Sequence, residues 1–211
     1  GPKLASAAAA HGALALPCDV TDAASVDRAA ARLRDAWGGL DALFYLAAHY
    51  APMRAFALDL AEVRRSVETN LLGAYASVAS ALPLLQGQPG AALVLVASAA
   101  GYRGLPTAAA YGPTKAALIN LAETLQLDLA PRGVAVTLVN PGFVRTPLTA
   151  SNPFPMPALI EPEAAAAAIL DGLARGRFEI HFPRRLTTWL RWARHLPYRL
   201  YFALVHKVTG L

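Results

Sequence analysis

LVLVASAAGYRGLPTAAAYGPTK, residues 93–115, passes from a strand pattern to a helix pattern across one loop. It continues the apolar run Ala92-Leu93-Val94-Leu95-Val96, whose length and β-branched content suit a strand buried on both faces. Ser98 falls where that strand ends, and Gly101, Gly104 and Pro106 mark the loop. Tyr111, Lys115, Leu118, Ile119, Ala122, Leu125 and Leu129 then recur at helical spacing and predict a helix over 112–130. Tyr111 and Lys115 are four apart, so they stack on one helical face. A both-sides-buried strand feeding a long helix is the unit of a parallel α/β sheet.

The Tyr/Lys pair suggests chemistry. A tyrosine with its ordinary pKa of about 10 exchanges protons poorly at neutral pH. An ammonium close to its oxygen favours the phenolate and moves it towards the working range. A serine hydroxyl from the neighbouring strand end can hold a substrate oxygen beside the phenol. The bland alternative is a surface helix with one half-buried Tyr and one solvated Lys.

Working outward, 211 residues suit one domain with a substantial core. Hydrophobic residues make up 55% and charged ones 16%, which excludes a disordered chain. No uncharged apolar run reaches the roughly eighteen residues of a membrane-spanning helix. The alanine-rich opening does not read as a signal peptide, and Gly1-Pro2 reads as the scar of a cleaved tag. Cys18 is the one cysteine, which excludes an internal disulfide, fits a reducing, cytoplasmic compartment, and reads as a small packed hydrophobe. No grouping of residues suggests a metal site.

Residues 13–16 read as a strand. Thr21-Asp22 then caps a helix that turns Val26, Ala29, Ala30, Leu33 and Trp37 inward and ends at Gly38-Gly39. Residues 40–46 form the next buried strand. Asp59 opens a long helix with the stripe Leu60, Val63, Val67, Leu71, Ala74, Val78, Leu82 and Leu85, and Asn70 lies on or beside it. Residues 134–139 form a further strand, followed by the turn Asn140-Pro141-Gly142. The Pro-rich segment 147–162 reads as a lid whose apolar Leu148, Phe154, Met156 and Leu159 suit a lipophilic substrate. A helix over 161–174 and a strand over 178–182 close the pattern.

A Ser at a strand end, a Tyr thirteen residues on and a Lys four after that resemble the active site of the short-chain dehydrogenase/reductase family. The resemblance spans residues 13–182 and implies a Rossmann-like, doubly wound parallel sheet in three α/β/α layers. It implies an oxidoreductase that interconverts a carbonyl and a secondary alcohol with NADP or NAD, NADP being slightly favoured. The residues that separate the two cofactors follow the second strand of such a sheet. By the resemblance, Tyr111 is the acid/base, Ser98 holds the carbonyl oxygen, and Lys115 lowers the Tyr pKa and binds the ribose. Asn70, in Thr69-Asn70-Leu71-Leu72-Gly73, is similar to the Asn that holds a water beside that Lys. Asp19 resembles the residue that bonds the adenine amino group, with Val20 beside it. Ala47 and Ala48 leave room for the ribose. Pro141, Gly142, Val144 and Thr146 resemble the loop that touches the nicotinamide carboxamide.

Two departures stand out. Tyr45-Leu46-Ala47-Ala48 replaces the usual Asn-Asn-Ala-Gly, so an aromatic stands where an Asn braces the central strand. No Gly-rich turn occurs in these residues, and such a sheet should begin with roughly forty more, comprising the first strand, that turn and the second strand. A non-catalytic sensor or scaffold on the same fold, or a truncated inactive fragment, is the competing reading. An oligomer of identical chains is expected.

From Pro183 the character changes. No acid follows Glu179, while Arg184, Arg185, Arg191, Arg194, Arg199 and Lys207 supply six cations to a chain of net charge +5. Leu186, Trp189, Leu190 and Ala193 share one helical face, and Pro197 breaks the segment. Residues 183–211 thus read as a basic amphipathic helical extension that packs on protein or, through 184–207, touches a membrane surface. With no recognition motif, nucleic acid is not an expected partner.

Overall fold

The computed structural model describes residues 2–150, 152 and 154–210. In chain order the helices are α1 (Pro2–Ala10), α2 (Ala23–Trp37), α3 (Leu60–Val67), α4 (Gly73–Leu85), α5 (Tyr111–Leu129), α6 (Pro162–Ala174), α7 (Arg184–Ala193) and α8 (Tyr198–Thr209). The strands are β1 (Ala42–Tyr45), β2 (Ala92–Val96), β3 (Ala135–Pro141) and β4 (Glu179–Phe182). They form one sheet in the order β1-β2-β3-β4, parallel throughout, so each strand's carboxyl end lies on the same edge.

Alternation along the central strands supplies both faces. Leu93 and Leu95 of β2 join Val136 and Leu138 of β3 in a core shared with Ala74, Val78 and Leu85 of α4 and Leu118 and Ala122 of α5. Val94 and Val139 point the other way and pack with Ile180, Phe182 and Ala165 of α6. Leu93, Val94 and Leu95 are all fully buried, as a strand covered on both sides requires.

Several expectations are corrected. Residues 13–16 are not a strand: they run as irregular chain, with no sheet neighbour to pair with among the described residues. Residues 40–46 shorten to β1, an edge strand whose Phe44 is exposed rather than buried. Cys18 and Trp37 are exposed, and so is Leu60 at the start of its stripe. The long helix after Asp59 is interrupted by a π-helical turn, Glu68–Leu72, before it resumes as α4. A π turn inserts one residue into the helical period and shifts every later side chain around the axis. Asn70 lies within that turn and is fully buried.

Candidate active site

The site grows from the carboxyl end of β2. Ser98 follows the strand and caps a short 3₁₀ turn, Ala99–Gly101, its Oγ accepting from the Ala100 amide at 3.1 Å. Gly101 presses this turn onto α5: a Cβ there would lie 2.7 Å from the Lys115 carbonyl carbon and 2.8 Å from its oxygen. Only a residue without a side chain permits that approach. The strand end and the first turns of α5 are therefore locked together.

That lock sets the geometry of the three predicted catalytic groups. Lys115 is 1% exposed, and its Nζ donates to the Val96 carbonyl, the last of β2, at 2.9 Å. The ammonium lies 5.5 Å from the centroid of the Tyr111 ring. The Ser98 hydroxyl and the Tyr111 phenol line the same cavity, and Ser98 favours the phenolate. Burial pushes the phenol up to about 12, the Ser98 bond opposing and Tyr50 adding to the rise. Burial also brings the Lys115 ammonium down to about 8. The net direction at the phenol is upward because of burial, with Ser98 as the group that opposes it. Loss of water around each group is the largest cause of its shift.

Asn70 is fully buried and fully engaged. Its Oδ1 accepts from the His49 amide at 2.6 Å, and its Nδ2 donates to the His49 carbonyl at 2.9 Å and to Thr114 Oγ1 at 3.0 Å. Thr114 Oγ1 in turn donates to the Tyr111 carbonyl at 2.8 Å. Asn70 therefore ties the chain leaving β1 to the first turn of α5, and through it positions Tyr111. Tyr45 does related work: its hydroxyl donates to the Thr69 carbonyl, inside the π turn. The aromatic that replaces Asn thus braces the segment carrying Asn70.

The cofactor-side candidates divide. Ala47 and Ala48 follow the carboxyl end of β1. Pro141 ends β3, and the Gly142 amide donates to the Phe182 carbonyl at 2.7 Å. Val144 bridges to Ile160, and the Val144 carbonyl accepts from Thr149 Oγ1 at 2.6 Å. Thr149 Oγ1 also accepts from the Thr146 amide at 3.1 Å, so an unpredicted threonine closes this loop. Asp19 is exposed and caps its own turn, accepting from Thr21 N at 2.9 Å and Thr21 Oγ1 at 2.8 Å. Those bonds hold its carboxyl below the usual carboxylate range. Val20, beside it, is partly buried against the main core.

Around Ser98 and Tyr111 lies a small hollow of about 110 Å³, lined also by Tyr50, Pro106, Phe143, Leu148 and Asn152. Tyr50 meets the Tyr111 ring edge-on at 4.9 Å, and its hydroxyl donates to Asn152 Oδ1 at 2.8 Å. Larger hollows lie elsewhere, one of about 550 Å³ outside β4 among arginines. Volume does not locate this site; converging hydroxyls do. Tyr50 and Asn152 were not readable in the sequence, because they meet across 102 positions of chain.

Comparison with known proteins gives the family. The family model for short chain dehydrogenases matches residues 2–154. The chain belongs to the short-chain dehydrogenase family. An uncharacterized oxidoreductase of Myxococcus xanthus is 39% identical over 191 residues, 90% of this chain and 75% of that one. A second, of Staphylococcus aureus, is 30% identical over 161 residues, 76% of this chain and 69% of that one. Among solved structures, a short-chain dehydrogenase of Streptomyces avermitilis covers 98% of this chain and 84% of its own, with TM-score 0.79 at 23% identity. One from Burkholderia cenocepacia, in complex with NADP, has TM-score 0.79 at 25% identity and covers 90% of this chain and 77% of its own. This short-chain dehydrogenase is an NAD(P)-dependent oxidoreductase with the family's parallel sheet and flanking helices.

The residues present fit the nicotinamide end of such a cofactor. A buried ammonium, a phenol and a hydroxyl stand at the sheet edge where ligands bind in doubly wound folds. For the adenine end the 211 residues supply Asp19, already engaged with Thr21, and no Gly-rich turn.

Proposed function

We propose that this short-chain dehydrogenase interconverts a small carbonyl compound and its secondary alcohol, with Tyr111 as the acid/base and NADP as the cofactor. The observation that carries the reading is the meeting of the Ser98 hydroxyl and the Tyr111 phenol on one cavity wall, with the Lys115 ammonium beneath the ring. NADP is supported by the relative from Burkholderia cenocepacia, whose structure holds it.

The bound cofactor supplies or accepts the hydride at its nicotinamide ring. The chain does the rest. Ser98 donates a hydrogen bond to the substrate oxygen and holds it beside the phenol. Tyr111, kept protonated at neutral pH by a pKa of about 12, gives its proton to that oxygen as negative charge builds there. Lys115 would hold the ribose hydroxyls, and its charge stabilises the tyrosinate left behind. Asn70 acts on the reaction through Thr114, which fixes the start of α5. Phe143 and Leu148 exclude water and select an apolar substituent on the carbonyl.

The test is NADPH and NADH oxidation with a panel of ketones and aldehydes, for the chain and for Tyr111→Phe. Turnover should fall by roughly 10²–10⁴ in the variant. Equal turnover by both proteins would overturn the assignment of Tyr111.

A further inference from the structure

We propose that the two carboxyl-terminal helices dock this enzyme on an anionic lipid surface, through an outward face of aromatic side chains rimmed by arginines. The inference stands apart from the reaction above, because it rests on residues remote from Tyr111.

The inward side of the tail is committed to its own domain. Thr187 and Ala193 of α7 and Tyr201 of α8 are buried. Arg103, in the loop leading to α5, donates to the Ala193 carbonyl at 3.0 Å and the Leu196 carbonyl at 2.5 Å, which satisfies the end of α7. Its guanidinium lies 4.7 Å from the Tyr198 ring centroid and 4.1 Å from that of Tyr201. Tyr201 donates to the Gly104 carbonyl at 2.7 Å. The tail is thus fixed to the loop whose next residues, Leu105 to Thr107, line the substrate cavity.

The outward side is the anomaly. Trp189 and Trp192 are each 71% exposed, Tyr198 is 70% and Phe202 54%. On the face that Leu186, Trp189, Leu190 and Ala193 share, Ala193 is buried and the two leucines are half-buried, while Trp189 stands exposed at its edge with Trp192 and Arg185 beyond it. Large aromatics left in water gain nothing for the fold.

The cations are placed as anomalously. Arg184 and Arg185 open α7 and Arg199 lies in the first turn of α8, where the helix dipole opposes positive charge, and neither first turn holds an acid. Helix stability does not explain that placement. Of the tail's other arginines, Arg191 pairs with Glu179 at 2.9 Å and Arg194 lies over the Tyr102 ring. Arg184, Arg185, Arg199 and Lys207 remain exposed. Exposed tryptophans flanked by cations, with no acid from residue 180 onward, complement a negatively charged interface that accepts aromatic rings at headgroup depth.

The experiment uses the 211-residue chain with Trp37→Phe, so that Trp189 and Trp192 alone report by fluorescence. It is mixed at low salt with vesicles of phosphatidylcholine, alone or with phosphatidylglycerol. Cosedimentation and a blue-shifted emission are expected with the phosphatidylglycerol vesicles, reversed by added salt. R185Q/R199Q should weaken partitioning by about fivefold per cation removed. W189A/W192A, followed by sedimentation, should abolish it. No partitioning, or equal partitioning onto phosphatidylcholine alone, would overturn the proposal. So would a dimer that W189A/W192A splits on gel filtration without any vesicle binding, since the face would then join two copies of the chain. These readouts need no turnover, so their failure leaves the proposed reaction untouched.

Discussion

Lys115 and Arg185 carry the same charge, and the fold treats them in opposite ways. Lys115 is 1% exposed and gives up most of its hydration for one carbonyl and one aromatic ring. Arg185 keeps its water at the tip of α7. The buried cation costs folding on the order of 3 kcal/mol at neutral pH, since burial takes its pKa from 10.5 to about 8. The exposed ones cost little and act at a distance that salt controls. Charge beside the candidate site is held by packing, and charge at the tip of the tail is left in solvent.

The largest expected effect lies at the buried end. Tyr111→Phe should lower carbonyl reduction by roughly 10²–10⁴ while leaving the urea midpoint within a small shift. A variant that unfolds instead would show that the phenol serves packing more than proton transfer.

Lys115→Met should remove activity and raise stability, by on the order of 3 kcal/mol below about pH 8. The sign follows from proton counting. Between pH 8 and 10.5 the unfolded chain binds a proton at Lys115 that the native state has released, so wild-type stability rises with pH in that window. Met has no such proton, and its advantage should vanish by pH 10.5. Urea titrations at pH 7 and 9.5 measure the difference; parallel behaviour of the two proteins would show that Lys115 is solvated.

Gly101→Ala should cost about 1–3 kcal/mol, because the new methyl meets the Lys115 backbone, which cannot rotate away as a side chain would. Activity should fall with it, since the same contact sets the distance from Ser98 to Tyr111. A neutral melting temperature would break the claim that the strand end and helix start are locked.

At the exposed end, R185Q/R199Q should change unfolding free energy by less than about 0.5 kcal/mol, and turnover of a water-soluble ketone should be unchanged. A larger loss would place these arginines inside the fold and erase the contrast with Lys115.

The same contrast marks what could be read early. Ser98, Tyr111 and Lys115 were legible because a strand end and a four-residue helical spacing are local, periodic facts. The core strands were legible for the same reason. The strand expected at 13–16 failed because a strand is defined by its neighbour, and none of the described residues pairs with it. Asn70 was found, but its partners were not: the π turn that buries it alters the helical period without any sequence mark. Tyr50 and Asn152 carried no signal, since they meet only across 102 positions of chain, whereas Thr149 acts on its near neighbours Val144 and Thr146 through a loop with no regular period.

The sequence by itself determined the layered parallel architecture, the catalytic spacing and the acid-free tail, because alternation, helical period and composition are properties of neighbours along the chain. The tertiary structure alone decided that both ionisable partners at the reaction centre are dry, that Asn70 holds backbone, and that the tail's tryptophans face outward. Those outcomes depend on what each side chain loses in water and gains from distant atoms, and neither quantity is written in local order.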